Sequence, residues 1–254
     1  MKRILFSAAI MFAALSASAQ QARTTLPQRI YVSTMSEQLD TEALLNANAR
    51  LSRTLYQGYN TLCLPYALTA EEFAEAFGNE TTVEKPVGAY TENGTFTLCF
   101  EECTGEGLEA GMPYLVHNDK FRSVLLSNTT GNVLSEPLSV SLSDSQGNAA
   151  TFRGSFERLE PVGTWAIPAV QGEIPADLIC CDGARQLNPT RCFFIWDSQN
   201  ASNMVIRHVA AGEYVTGINA AAVTTAEGAA YNLAGQRVNS QNGVTIQGGK
   251  KVLK

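Results

Sequence analysis

Leu138, Val140 and Leu142 alternate with Ser139, Ser141 and Ser143. Beyond Asp144-Ser145-Gln146-Gly147-Asn148, the residues Phe152, Gly154 and Phe156 alternate with Arg153, Ser155 and Glu157. Two period-two runs around such a turn predict a hairpin with one buried face. Apolar runs predict further strands at Phe96–Phe100, Pro113–His117, Val124–Leu126, Arg191–Trp196 and Met204–Val209. Glu92-Asn93-Gly94, Asn118-Asp119 and Asn188-Pro189 supply turns between them. The expected class is all-β: an antiparallel β-sandwich or barrel-like domain with one short helix (about 69–77) and a small C-terminal β-meander. Asn46 to Tyr56 is ambiguous, because Ala47, Ala49, Leu51 and Leu55 fit a strand while Asp40 to Asn48 fit a short helix.

The run Gly58 to Tyr66, GYNTLCLPY, sets Leu62, Leu64 and Tyr66 on one face and Cys63 on the other, between Thr61 and Pro65. A strand apolar on both faces needs cover on both. The expected cover is the next element, Thr69 to Phe77, in which Thr69 and Glu72 form a capping box and Gly78 ends the helix. Phe73, Ala76 and Phe77 make its apolar side. Cys63 then reads as a buried structural thiol beneath this helix, a small hydrophobe and not a reactive group.

The two ends differ from the middle. Lys2 and Arg3 precede an apolar stretch from Ile4 to Leu15, and Ala17-Ser18-Ala19 offers a small-residue cleavage site. This pattern predicts a secretory signal peptide over 1–19, too short in its apolar part to span a bilayer. The expected division continues with an N-terminal extension at 20–41, a β-rich module at 42–216 and a linker at 217–230 rich in Ala, Thr and Gly. A tail follows at 231–254. No transmembrane segment is expected.

Charge sharpens that division. The chain carries −6 overall, and loss of Lys2 and Arg3 with the leader would take it to −8. Thr69 to Glu109 holds ten glutamates against Lys85 alone, read as a solvated face, whereas Tyr231 to Lys254 holds four cations and no acid. An acidic balance without clustered Lys and Arg argues against nucleic acid as a partner.

Six cysteines, Cys63, Cys99, Cys103, Cys180, Cys181 and Cys192, allow fifteen complete pairings. Cys99 and Cys103 would lie about 13 Å apart on one strand face, too far to bridge without a bend. The expectation is mainly buried thiols, with room for one bridge. No C-x-x-C, H-E-x-x-H, P-loop or G-x-S-x-G occurs, so no cofactor and no metal are expected. His117 reads as a turn histidine and His208 as a cross-strand partner. Trp165, Trp196, Tyr90 and Tyr114 could stack on sugar rings but suit the core as well. No catalytic residue is assigned.

Two resemblances rest on quoted motifs. RLSRTLYQGYNTLCLPYALTAEEFAEAFG (50–78), LEAGMPYLV (108–116), FRGSF (152–156) and LNPTRCFFI (187–195) together resemble a recurrent module of secreted and surface proteins from Bacteroidetes-type bacteria. Tyr59 stands where that module has tryptophan. The tail YNLAGQRVNSQNGVTIQGGKKVLK is similar to the end of C-terminal sorting domains of the type IX secretion system. The motif positions are Tyr231, Gly235, Val238, Gly243, Ile246, Gly249, Lys250 and Lys251, while Thr245 replaces the usual aromatic. The resemblances imply an exported, β-rich, cell-surface or secreted protein whose tail meets the export machinery. The expected function is non-enzymatic, adhesin-like binding of a glycan or host-protein ligand. A fimbrial or structural subunit comes second and a carbohydrate-active hydrolase third.

Overall fold

The computed structural model describes residues 28–168, 178–184 and 186–213, and the backbone of four short strands between 219 and 253. The strands are β1 (Ile30–Ser33), β2 (Ala49–Leu55), β3 (Gly58–Leu62), β4 (Thr82–Glu92), β5 (Thr95–Glu102), β6 (Tyr114–Asn118) and β7 (Arg122–Leu126). They continue with β8 (Ser139–Ser143), β9 (Ala149–Gly154), β10 (Trp165–Ala166), β11 (Ile179–Cys180), β12 (Cys192–Asp197) and β13 (Asn203–Val209). The last four are β14 (Asn219–Ala220), β15 (Ala222–Thr224), β16 (Val244–Gln247) and β17 (Lys250–Leu253). One α-helix, α1 (Ala70–Phe77), lies between β3 and β4. The protein is all-β with one short helix.

Three sheets build the body. β1-β2-β7 form the first, β11-β10-β12-β9-β8-β15 the second, and β13-β5-β4-β6-β3 the third, with β14 also on β4. The ladders are antiparallel with two exceptions, since β1 runs parallel to β2 and β13 parallel to β5. A parallel pair needs a long crossover. Here the chain leaves β5, passes through β6 and β7, lays down β8 to β12 of the second sheet, and returns as β13.

The hairpins follow from local chemistry. Asn93 and Gly94 have φ of 50° and 75°, the left-handed pair that a two-residue turn demands, and they join β4 to β5 with Glu92 opposite Thr95. Helix α1 starts on a capping box: the Thr69 hydroxyl accepts the Glu72 N–H at 3.2 Å, and the Glu72 carboxylate accepts the Thr69 N–H at 2.8 Å. It buries Phe73 and Phe77, whose rings stack at 4.7 Å.

The second and third sheets face each other across an aromatic core. Phe152 and Phe194 are cross-strand partners stacked at 4.4 Å, and Phe100 meets them edge-on at 5.4 and 6.2 Å. Asn148, fully buried after the β8 turn, joins the two sheets by polar contact. Its amide oxygen accepts the N–H groups of Gln199, Asn200 and Ala201, and its NH2 donates to Asp144 and Thr91.

Several sequence readings change here. Cys63 is fully buried, but its cover is the second sheet and not α1. A Cβ on Gly154 of β9 would stand 2.3 Å from the Cys63 sulfur. The ambiguous stretch resolves into both forms, a short 3-10 turn at Ala43–Leu45 followed by strand β2 at Ala49–Leu55. Within the stretch read as an extension, β1 pairs with β2 and Gln38 bridges Glu157. Within the stretch read as a linker, β14 pairs with β4 and β15 with β8. Cys99 and Cys103 separate, since Cys99 packs in a small cluster with Val209 while Cys103 joins the main core. The leader at 1–19 lies outside the described residues.

Gly154 has no room for a side chain, since a Cβ there would overlap Cys63. Gly154→Ala should lower stability by about 1–3 kcal/mol through overpacking, read as a fall in the urea midpoint. Cys63→Ala in the same chain should restore part of that loss, because it removes the sulfur the new methyl would strike.

Candidate functional site

Two polar clusters stand out, and their hydrogen bonding separates them. The first lies on the inward face of the third sheet. Register places Tyr59 opposite His117, and both Thr61 and Glu84 opposite Leu115, so these residues share a face. On the far side of the sheet, His208 is the partner of Phe100, which points into the core. β3 and β13 are opposite edges of this sheet. The Tyr59 ring from one edge nevertheless stacks on the His208 ring from the other at 4.1 Å and 14°. The sheet must therefore curl into a half-barrel for its two edges to meet.

Glu84, from the strand between those edges, holds the contact. Its side chain is 8% exposed, and it accepts the Tyr59 phenol at 3.2 Å while its other oxygen lies 2.6 Å from His208 Nδ1. Burial, followed by the Glu84 carboxylate, pushes the Tyr59 phenol pKa up. His117 also meets the Tyr59 ring, tilted at 58° with centroids 4.8 Å apart, and Asp119 lies 3.9 Å from its Nδ1. The chain's two histidines thus both meet one tyrosine. Sequence reasoning missed this cluster by treating the acidic stretch as uniformly solvated. Both Glu84 oxygens are occupied, so the group acts as a clasp.

The second cluster is unsatisfied. A cavity of about 230 Å3 opens beside the β2–β3 turn, and Tyr56, Ala166, Ile167, Leu187 and Arg191 contribute to its lining. Asn60 shapes that turn by accepting the Tyr56 N–H at 2.9 Å and donating to the Tyr56 carbonyl at 2.7 Å. Arg191 follows Thr190, a non-glycine residue at φ 68°, and its guanidinium lies over the Tyr56 ring at 5.7 Å. Among the described residues the Arg191 side chain makes no ion pair and no hydrogen bond. Burial lowers its pKa.

A second guanidinium adds to the positive field. Arg53 is buried, donating to the carbonyls of Thr54 and Thr61 at 2.7 Å each, with its Nε unpartnered. Burial first, and Arg191 second, hold its pKa well below the usual arginine range. Among the described residues, no carboxylate pairs with either group. Buried cations are costly unless an anion or acceptors compensate them. Phe121, outside the lining, is 61% exposed and meets the lining residue Tyr56 edge-on at 5.8 Å. An apolar ledge next to an uncompensated guanidinium can hold a ring that bears an acid.

The other candidates fall elsewhere. Trp165 and Trp196 pack on each other at 5.4 Å and against the core, and Tyr114 is buried. Tyr231, Gly235, Val238, Gly243 and Gly249 lie outside the described residues. In the remaining tail, Ile246 pairs with Lys251 and Gln247 with Lys250 in the two-stranded β16–β17 sheet. Among the described residues, no group of three or more His, Cys, Asp or Glu is placed to hold a metal, and no helix is long and apolar enough to cross a membrane.

An all-β protein with a cation-lined cavity is the class that fold and site define. No family model, curated protein or solved structure matches the chain.

The clasp can be tested by its contribution to closure. His208→Ala leaves the buried Glu84 one partner short and should cost about 1–3 kcal/mol, while Tyr59→Phe, which keeps the ring contact, should cost about 0.5–1.5 kcal/mol. Amide hydrogen exchange should rise along β13 in the first variant and stay near the parent rate in the second.

Proposed function

We propose that this protein is a non-enzymatic, secreted or cell-surface binding domain, and that the Tyr56–Arg191 cavity takes a carboxylate-bearing sugar. One observation carries the reading: a guanidinium that lines a cavity with no acceptor on it among the described residues. Arginine recognises carboxylates through a planar fork of two parallel N–H donors. Tyr56 and Phe121 add aromatic area for the C–H face of a sugar ring. The cavity volume is below the range typical of drug-sized ligands, which favours a single ring or chain end.

The sequence supports export as part of the same reading. The leader pattern at 1–19 and the sorting-like tail at 231–254 imply passage through the periplasm to the surface, with the tail meeting the export machinery. β16 and β17 pair with each other, as a separable tail element would.

Binding is measured on a panel of acidic and neutral glycans with the full chain lacking its leader. Acidic sugars should bind and weaken with added salt, and Arg191→Met should lose about 2 kcal/mol or more, roughly thirtyfold in Kd. Arg191→Lys should recover only part of this. Equal binding of acidic and neutral sugars by the parent and Arg191→Met chains would refute the assignment.

Deleting 231–254 tests the export half. The thermal midpoint should stay close to that of the parent chain while the protein accumulates in the periplasm. A truncated chain that loses its fold would make the tail the domain's closing strands instead.

A further inference from the structure

The contact between the two facing sheets at Gly154 brings together two cysteines distant in sequence. Cys63 follows β3, and Cys192 opens β12. Their backbones are tied across the sheet interface, since the Cys63 N–H donates to the Thr190 carbonyl at 2.9 Å and the Cys192 N–H donates to the Thr61 hydroxyl at 2.8 Å. Cys192 is the cross-strand partner of Gly154, so the two Cβ positions would point the same way about 4.5–5.5 Å apart. The Cys63 sulfur lies 2.3 Å from where the Gly154 Cβ would stand. It therefore occupies the space beside the Cys192 side chain that a glycine leaves open. Register and the Gly154 gap thus set the two side chains next to each other, and both are at most 1% exposed.

We propose that Cys63 and Cys192 form a disulfide that staples the second sheet to the third when the chain folds in an oxidising compartment. Apart from Cys63 and Cys192, the described structure holds Cys99 and Cys103 in separate clusters and leaves Cys180 exposed. The compartment rests on the export reading above; the pairing rests on geometry alone. Two thiols give up two protons and two electrons, and a small disulfide such as oxidised glutathione accepts them and leaves as two thiols. Both sulfurs are sealed in the folded core, so exchange happens as the sheets come together. The bridge closes a loop of well over a hundred residues, where a cross-link restricts the unfolded chain most.

The leaderless chain is purified reduced, unfolded, and refolded with and without oxidised glutathione. A second sample is recovered from the periplasm of cells expressing the full chain. Each is denatured, alkylated without reductant, and peptide-mapped. The expected result after oxidative refolding is one linked pair of peptides, Cys63 with Cys192, lighter by two hydrogens, and a melting temperature several degrees above the reduced chain. Alkylation of both residues in that sample, or linkage of either to another cysteine, would overturn the proposal. A Cys63–Cys192 link in the refolded sample that is missing from cells would leave the pairing standing and count against export. Cys192→Ala, compared with the reduced parent chain to allow for the lost sulfur, should abolish the linked pair and its temperature gain together.

Discussion

The fold depends on two sheets approaching so closely that one residue between them can have no side chain. Gly154 is that residue. The Cys63 sulfur fills the space above it, and the backbone bonds between 61–63 and 190–192 hold the approach. Close packing there lets Phe100 reach Phe152 and Phe194, which form the aromatic centre of the core. Interiors at crystal-like density tolerate little added volume, so the contact sets the spacing of everything around it. Asn148 fixes the same interface at its other end by polar bonds in place of packing.

Curl is the second constraint. A sheet of this size would leave two edges open, and open edges invite pairing with other chains. Here Tyr59 and His208 bring the edges together, and Glu84 anchors both from the middle of the sheet. A carboxylate so deeply placed is tolerable because both oxygens are used. The contrast with Arg53 and Arg191 is what assigns the roles. One cluster has both oxygens of its carboxylate engaged and closes the fold, while in the other Arg191 meets no acceptor among the described residues, which is what the binding proposal rests on.

Hydrophobic alternation along the chain determined the class, most of the strands and the helix. The hairpin at 139–154, strands β5, β6, β12 and β13, and the Thr69–Glu72 cap all follow from period, turn residues and local side-chain chemistry, which act within a few residues. The misread places needed contacts from far along the chain. β4 carries a lysine and a proline and was hidden in an acidic stretch, yet it is the central strand of its sheet. Glu84 looked like its neighbours until the curl carried it under Tyr59 and His208. Cys63 looked destined for the adjacent helix, but a glycine some ninety positions away, on β9, made the better space. Arg191 read only as a motif residue, and its lack of an acceptor among the described residues depends on which groups the fold brings near it. Local sequence determines which segments are strands and where they turn; the partners of a buried charge or thiol are decided by tertiary structure, because solvation and pairing depend on distances in space and not on separation along the chain.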